Sequence, residues 1–225
     1  MSFKSQMAAL RGQVARELPE GSFDKLQAEA ANLRASGKWR KALKAGEAAP
    51  DFKLPDRAGG IVRFGDLLDG GPVVVCFYWG DWCRFCQLQL QALATIAGEV
   101  RTLGASLIGV APTIAVAPAV ARVVTSPFPL LADVDAKVCQ AFGLTFLPAD
   151  NLRDSYLALG RPTCEAGYLA LPAPAIYVID QSSAVVFSYF DSDFTSRLDP
   201  SEILIVLRRL RAMQEAANSD AFPKT

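Results

Sequence analysis

Val73-Val74-Val75-Cys76-Phe77-Tyr78-Trp79-Gly80-Asp81-Trp82-Cys83-Arg84-Phe85-Cys86 is the stretch that decides the fold. Its first seven residues form an unbroken apolar run rich in β-branched and aromatic side chains, which predicts a central parallel strand buried on both faces. Gly80 to Phe85 reads as a loop, and Gln87 to Leu103 as a helix with Leu88, Ala92, Leu93, Ile96 and Val100 turned inward. Cys83 and Cys86 therefore lie between a buried strand and the start of a helix. A thiol in that place meets unpaired backbone N–H groups and the positive end of the helix dipole, and both favour the thiolate. The two intervening residues let the second sulfur reach back to resolve a mixed disulfide, and Arg84 adds a cation beside the pair.

The alternation of strands and helices continues on both sides. Leu54 to Phe64 predicts a hairpin turning at Gly59-Gly60. Beyond the helix, Ser106 to Val110 and Phe128 to Leu131 read as strands, Pro118 to Val124 as a short helix, and Asp133 to Phe142 as a helix that Asp133 caps and Gly143 stops. A polar, proline-bearing insertion follows from about Thr145 to Pro172. Ala175 to Asp180 and Ala184 to Tyr189 are two strands joined by a tight turn at Gln181-Ser182-Ser183. The last helix has a clear start: Asp199 as cap, Pro200 in the first position, and Glu202 completing a capping-box pattern. Such an order indicates an α/β sandwich.

Ahead of this unit, Phe3, Met7, Leu10, Val14 and Leu18 make one apolar helical stripe that ends at Pro19-Glu20-Gly21. Ser22 is placed to cap a second helix with Phe23, Leu26, Ala30 and Leu33 on one face. The chain thus divides into an N-terminal helical extension (1–45), an α/β domain (46–215) and a disordered tail (216–225). The two helices either pack on their own domain, the preferred reading, or form an arm of a homodimer.

Composition narrows the chemistry. The 225 residues contain no histidine, which removes Ser-His-Asp and Cys-His catalysis and every imidazole-based metal site. Lys plus Arg equals Asp plus Glu at 23 each, so no general attraction to nucleic acid or anionic lipid is expected. The apolar stretch from Ala105 to Val124 carries Gly109, Pro112 and Pro118, which suit a strand, a turn and a short helix better than a membrane span. Five cysteines with one tight pair do not form a disulfide framework, and Met1-Ser2-Phe3-Lys4-Ser5-Gln6 has no signal-type apolar core, so a reducing cytoplasm is expected. Zinc would need four ligands, and no second Cys-x-x-Cys supplies them. No metal, flavin or nucleotide cofactor is implied.

Three further stretches carry a resemblance. Gly46-x-x-Ala49-Pro50-Asp51-Phe52-x-Leu54, then Phe77-Tyr78-x-Gly80-x-Trp82-Cys83-x-x-Cys86, then Leu171-Pro172-Ala173-Pro174-Ala175-x-Tyr177-Val178-Ile179-Asp180 resemble the peroxiredoxin-like branch of the AhpC/TSA family. The tail Asp193-Phe194-Thr195-x-Arg197-Leu198-x-Pro200-x-Glu202-Ile203 is similar too. The resemblance covers about residues 46–210. It implies a thioredoxin-like fold, with a central mixed sheet flanked by helices, and thiol-dependent reduction of peroxides or disulfides. It also implies an electron donor of the thioredoxin or glutathione type.

Two departures bear on the site. Where the family places Thr or Ser three residues before its peroxidatic cysteine, alignment on Cys86 finds Cys83. Where it places an arginine just before the late strand, this chain has Pro174, which is instead the candidate for a thioredoxin-type cis-proline facing the pair. Arg84 and Phe85 replace the Pro-aromatic pair usual in this branch.

Two assignments of roles follow. In a thioredoxin-like site Cys83 is the exposed attacking thiolate and Cys86 the buried resolver. In a peroxiredoxin-like site Cys86 attacks the peroxide, Cys83 resolves it, and Arg84 partly replaces the missing guanidinium. The first assignment is preferred, because the first cysteine of such a pair is usually the more exposed. Trp79, Tyr78, Trp82 and Phe85 are expected to wall the site. Cys76 and Cys139 read as small hydrophobes, Cys164 as an outside candidate for a third redox thiol, and Asp66 and Asp81 as surface or capping residues in preference to aids in proton transfer. The rivals are a dedicated disulfide reductase and a redox-inert interaction module.

Overall fold

Val73, Val74, Val75, Cys76 and Phe77 are all buried, and they form the middle strand of a five-stranded mixed sheet. The computed structural model describes residues 1–57, 59–112, 126–161 and 170–221. Chain order begins with α1 (Phe3–Glu17), α2 (Ser22–Ala35) and a 3-10 turn at Lys38–Lys41. A small hairpin, β1 (Lys53–Pro55) and β2 (Ile61–Arg63), precedes α3 (Phe64–Asp69) and the middle strand β3 (Val73–Phe77). Then come α4 (Arg84–Thr102), β4 (Ser106–Ala111), β5 (Leu130–Ala132) and α5 (Lys137–Ala141). β6 (Thr145–Phe146), α6 (Arg153–Ala158), β7 (Leu171–Pro172), β8 (Ala175–Ile179), β9 (Val185–Phe190) and α7 (Pro200–Ala221) complete it.

The sheet order is β5-β4-β3-β8-β9. β3 is parallel to β4, with Phe77 opposite Val110, and antiparallel to β8, with Phe77 opposite Ala175. The middle strand is therefore parallel to one neighbour only, and the sheet is mixed, as the resemblance implies. β3 and β8 are buried at every position, so both faces of the sheet centre are covered, and α4 and α7 pack together beside β4 and β8. On that packing the inward residues Leu90, Leu93, Ala97 and Val100 of α4 are buried, and so are Ile203 and Leu207 of α7. Each of the leucine, isoleucine and valine side chains contributes roughly 1.5–3 kcal/mol on burial.

Several local readings are refined. The capping residue of α2 is Gly21, at φ 73°, and Ser22 is its buried first residue, without a side-chain cap bond. Asp133 does cap α5, but from a distance: the helix starts only at Lys137, and the buried carboxylate accepts the Val138 and Cys139 N–H groups at 3.1 and 2.8 Å. The stretch read as an insertion holds β6, β7 and α6, because Phe146, Tyr156 and Leu171 have apolar surface to bury and pack it onto the core. α7 runs through 216–221, where the sequence suggests a disordered tail. The helix expected at Pro118–Val124 and the thiol of Cys164 lie outside the described residues. Among the described residues no helix is long and apolar enough to cross a membrane.

α1 and α2 pack on their own chain. Arg11 donates to Asp193 (3.0 Å), Thr195 (2.7 Å) and Gln27 (2.7 Å), and the Phe23 ring meets Phe194 edge-on. Glu29 of α2 accepts the Ala149 N–H at 2.8 Å and the Tyr156 hydroxyl at 2.5 Å.

Candidate active site

α4 begins earlier than its apolar stripe suggests, and this places both thiols in its first turn. Cys83 is the capping residue, in extended conformation, and its Sγ accepts the Cys86 N–H at 3.3 Å. Its carbonyl accepts the Gln87 N–H at 2.9 Å. The two sulfurs are 2.6 Å apart. Neither is exposed: Cys83 retains 4% of its surface and Cys86 none. The expectation of an exposed Cys83 thiolate is therefore corrected, because α1 and the aromatic side chains close over it.

The cation at the pair is Arg197. Its Nη2 lies 3.5 Å from Cys86 Sγ, and its Nη1 donates to the Ser196 carbonyl at 2.8 Å. Among the described residues no carboxylate lies within ion-pair distance of this partly buried guanidinium. Arg84, the residue expected to supply the charge, instead pairs with Glu17 of α1. A side chain at the first helical position points outward from the helix start, so Arg84 leaves the sulfurs and reaches the neighbouring helix.

The two thiols are pushed in opposite directions. Burial raises the Cys86 thiol, but the bond from the Cys83 S–H, the Arg197 guanidinium and the Trp79 backbone N–H outweigh it and bring it down to about 6. Burial raises Cys83 well above the ordinary thiol range, and its bond to the Cys86 sulfur adds to that. One negative charge is thus shared by the pair and sits on Cys86, since a full guanidinium charge at 3.5 Å outweighs the single N–H that Cys83 receives. Burial pushes Cys76 up to about 12 and Cys139 well above its usual range, so both are inert, as the sequence suggests.

Trp79, Trp82 and Phe85 wall the site, whereas Tyr78, also expected there, lines a separate small cavity with Cys76 and Arg197. Trp82 stacks on Trp79 at 5.6 Å, Trp79 on Phe194 at 5.2 Å, and Phe85 meets Phe194 edge-on at 5.5 Å. Trp79 Nε1 donates to the Pro172 carbonyl at 2.8 Å, tying the wall to β7. Pro174 is not a cis-proline: no cis peptide bond occurs among the described residues. It sits at the head of β8, where its missing N–H costs no ladder bond, and shares a small cavity with Cys76, Gln89, Tyr189 and Arg197. Asp81 is neither surface nor cap, since it is buried and ion-paired with Arg57, and burial raises its carboxyl.

Arg197 is the functional residue to which sequence reasoning assigned no role. It falls inside the tail motif, but it is 111 residues from Cys86 and no periodicity links the two. The site therefore combines a helix-start dithiol, a low-lying thiolate and a guanidinium whose charged neighbour is that thiolate, with no carboxylate partner among the described residues, the parts of a thiol redox centre.

Known proteins share the sequence pattern and the fold. The sequence profile of the AhpC/TSA family matches residues 45–188. The peroxiredoxin-type protein Rv1608c of Mycobacterium tuberculosis is 31% identical over 103 residues, covering 45% of this chain and 67% of that protein. Peroxiredoxin Bcp of Escherichia coli is 33% identical over 105 residues, 45% of this chain and 65% of the relative. Thiol-disulfide oxidoreductase ResA of Halalkalibacterium halodurans is 30% identical over 116 residues, 50% and 64% of the two chains. The crystal structure of peroxidoxin BcpB from Mycobacterium tuberculosis superposes with a TM-score of 0.56 at 25% identity, over 75% of this chain and 98% of the other. A reduced 2-Cys peroxiredoxin of Plasmodium vivax shares the fold, with a TM-score of 0.60 at 16% identity over 77% and 84%. The chain belongs to the AhpC/TSA family. It is a thiol-dependent oxidoreductase of the peroxiredoxin-like type.

Proposed function

We propose that the chain reduces a hydroperoxide at Cys86 and resolves the product with Cys83. The observation that carries this reading is the Arg197 guanidinium, 3.5 Å from Cys86 Sγ and without a carboxylate partner among the described residues. In the reaction the Cys86 thiolate attacks one peroxide oxygen and the O–O bond breaks. The departing alkoxide takes a proton and leaves as alcohol, with Cys86 as the sulfenic acid. Cys83 then attacks that sulfur, water leaves, and a Cys83–Cys86 disulfide remains. Two electrons from a thiol donor restore the dithiol. A cytoplasmic, reducing setting suits a cycle that ends in this way.

Arg197 fits the first step because a positive charge at the sulfur favours the thiolate and then faces the negative charge developing on the departing oxygen. Treating Cys83→Ser with one equivalent of hydroperoxide and a sulfenic-acid trap should label Cys86, with one alcohol formed per chain. Cys86→Ser should consume no peroxide. Labelling at Cys83, or undiminished consumption by Cys86→Ser, would sink the assignment.

A second reading has its own observation. Cys83 rather than Cys86 borders the slot between α1 and α4, and it accepts a helix N–H. In thiol–disulfide exchange it would then be the first nucleophile, the role suggested by the likeness to ResA. Trapping a mixed disulfide with Cys86→Ser, together with inertness to peroxide, would favour that reading.

A further inference from the structure

The end of α1 lies across the approach to the dithiol. Val14, Glu17 and Leu18 form one side of a slot whose other walls include Trp82, Phe85 and Leu159, and whose floor is Cys83. The slot is small, about 50 Å³, which is space for a few water-sized groups. Val14 is buried in this contact. Glu17 pairs with Arg84, a residue between the two cysteines, so α1 is tied to the first turn of α4 that carries them. Farther along, Arg11 holds α1 to Asp193 and Thr195, close in sequence to Arg197.

We infer that α1 is a size filter: it admits a small hydroperoxide and a low-molecular-mass thiol to the dithiol and excludes a protein disulfide or protein dithiol. The inference rests on the Cys83–Cys86 redox cycle and names its donor class. The physical reason is the geometry of a mixed disulfide. A protein cysteine joined to Cys83 must bring its own Cα within roughly 7 Å of the Cys83 Cα, with its flanking backbone following. That volume is held by Val14, Glu17 and Leu18 on one side and by Ala158 and Leu159 on the other. A small thiol brings only its own short chain. Each cycle then consumes one hydroperoxide and two small thiols. The first thiolate attacks Cys83 Sγ and releases the Cys86 thiolate; the second attacks the mixed disulfide. The thiols leave together as their disulfide, and the protein regains both electrons.

Alkylation of the reduced protein tests the filter without requiring turnover. Rates of labelling at the dithiol, summed over Cys83 and Cys86 and read by mass spectrometry, are compared for iodoacetamide and for a maleimide carried on a polymer of about 5 kDa, with the polymer ratio of an unfolded control as reference. The filter predicts that the native protein discriminates against the polymer at least tenfold more than the unfolded control. Glu17→Arg, which sets like charges together, should reduce this discrimination several-fold, and Glu17→Arg with Arg84→Glu should restore it. Both positions are partly exposed, so these variants keep the core intact. A second arm compares regeneration of the disulfide form by glutathione and by reduced thioredoxin at equal thiol concentration. Glutathione should be at least tenfold the better donor, with the ratio moving towards thioredoxin in Glu17→Arg. A native polymer-to-iodoacetamide ratio equal to that of the unfolded control, or a thioredoxin preference that Glu17→Arg leaves unchanged, overturns the filter. Neither result touches the redox cycle, which instead fails if no disulfide forms with peroxide.

Discussion

Replacing Arg197 with methionine removes the charge while keeping most of the side-chain volume. The guanidinium is 3.5 Å from Cys86 Sγ. At an effective dielectric constant of about 20, a pair of unit charges at that separation interacts by about 5 kcal/mol. That sets a ceiling of about 3.5 on the rise in the Cys86 value, and partial solvent access at Arg197 brings the expected rise to about 2. The Cys86 thiol, held at about 6 in the native protein, should therefore titrate near 8 in the variant once the charge is gone. At pH 7 the thiolate fraction would drop from about nine-tenths to about one-tenth. The thiolate that remains is intrinsically more nucleophilic, so simple alkylation falls by less than the ionised fraction does. Reaction with peroxide should fall further, by at least about a hundredfold, because the same guanidinium faces the departing oxygen. The assay is thiolate absorbance against pH, with stopped-flow peroxide reaction at pH 7 and again at pH 9.5, in a Cys164→Ser background. Arg197→Lys should lie between the two, since it keeps the charge but loses the planar fork. A midpoint within about half a unit of the native one, with a peroxide rate within about threefold at both pH values, would refute the role given to Arg197.

The absence of histidine makes the next prediction clean. Cys86 titrates at about 6 when folded and near 8.5 in an unfolded chain, so its stabilisation is complete above pH 8.5 and is lost as the pH falls towards 6. Stability of the reduced protein should rise by up to about 1.4 kcal/mol per pH unit between about pH 6 and about 7.5, above which Cys76, Cys83 and Cys139, held neutral in the fold, oppose the gain, and Cys86→Ser should flatten the rise; an unchanged slope in the variant counts against the low-lying thiolate. Gly143→Ala places a Cβ 2.0 Å from the Lys41 carbonyl at φ 71° and should lower Tm by about 4–8 °C, measured calorimetrically. Asp133→Ala strands the Val138 and Cys139 N–H groups and should cost about 1–3 kcal/mol in urea unfolding, with Asp133→Asn recovering part of it.

What the sequence determined by itself is local. An apolar β-branched run announces β3, since only a strand covered on both faces can use it. Asp199-Pro200 starts α7 and Gly143 ends α5, because caps and left-handed positions act within one turn. The place of Cys83 and Cys86 at a helix start follows from those same short-range rules, and so does the advantage that place gives a thiolate. Which sulfur carries the charge does not. That was decided when the β9–α7 connection brought Arg197 beside Cys86, while Arg84, the nearer cation in the chain, turned to Glu17. Likewise Asp81 became a buried ion pair because Arg57 arrived from the β1–β2 hairpin, and the dithiol lost its exposure because α1 folded back over it. Backbone hydrogen bonds and caps tie residues a few positions apart and leave a period in the sequence. Charge and burial depend on whatever approaches through space, and contacts closed by loops of a hundred residues leave none.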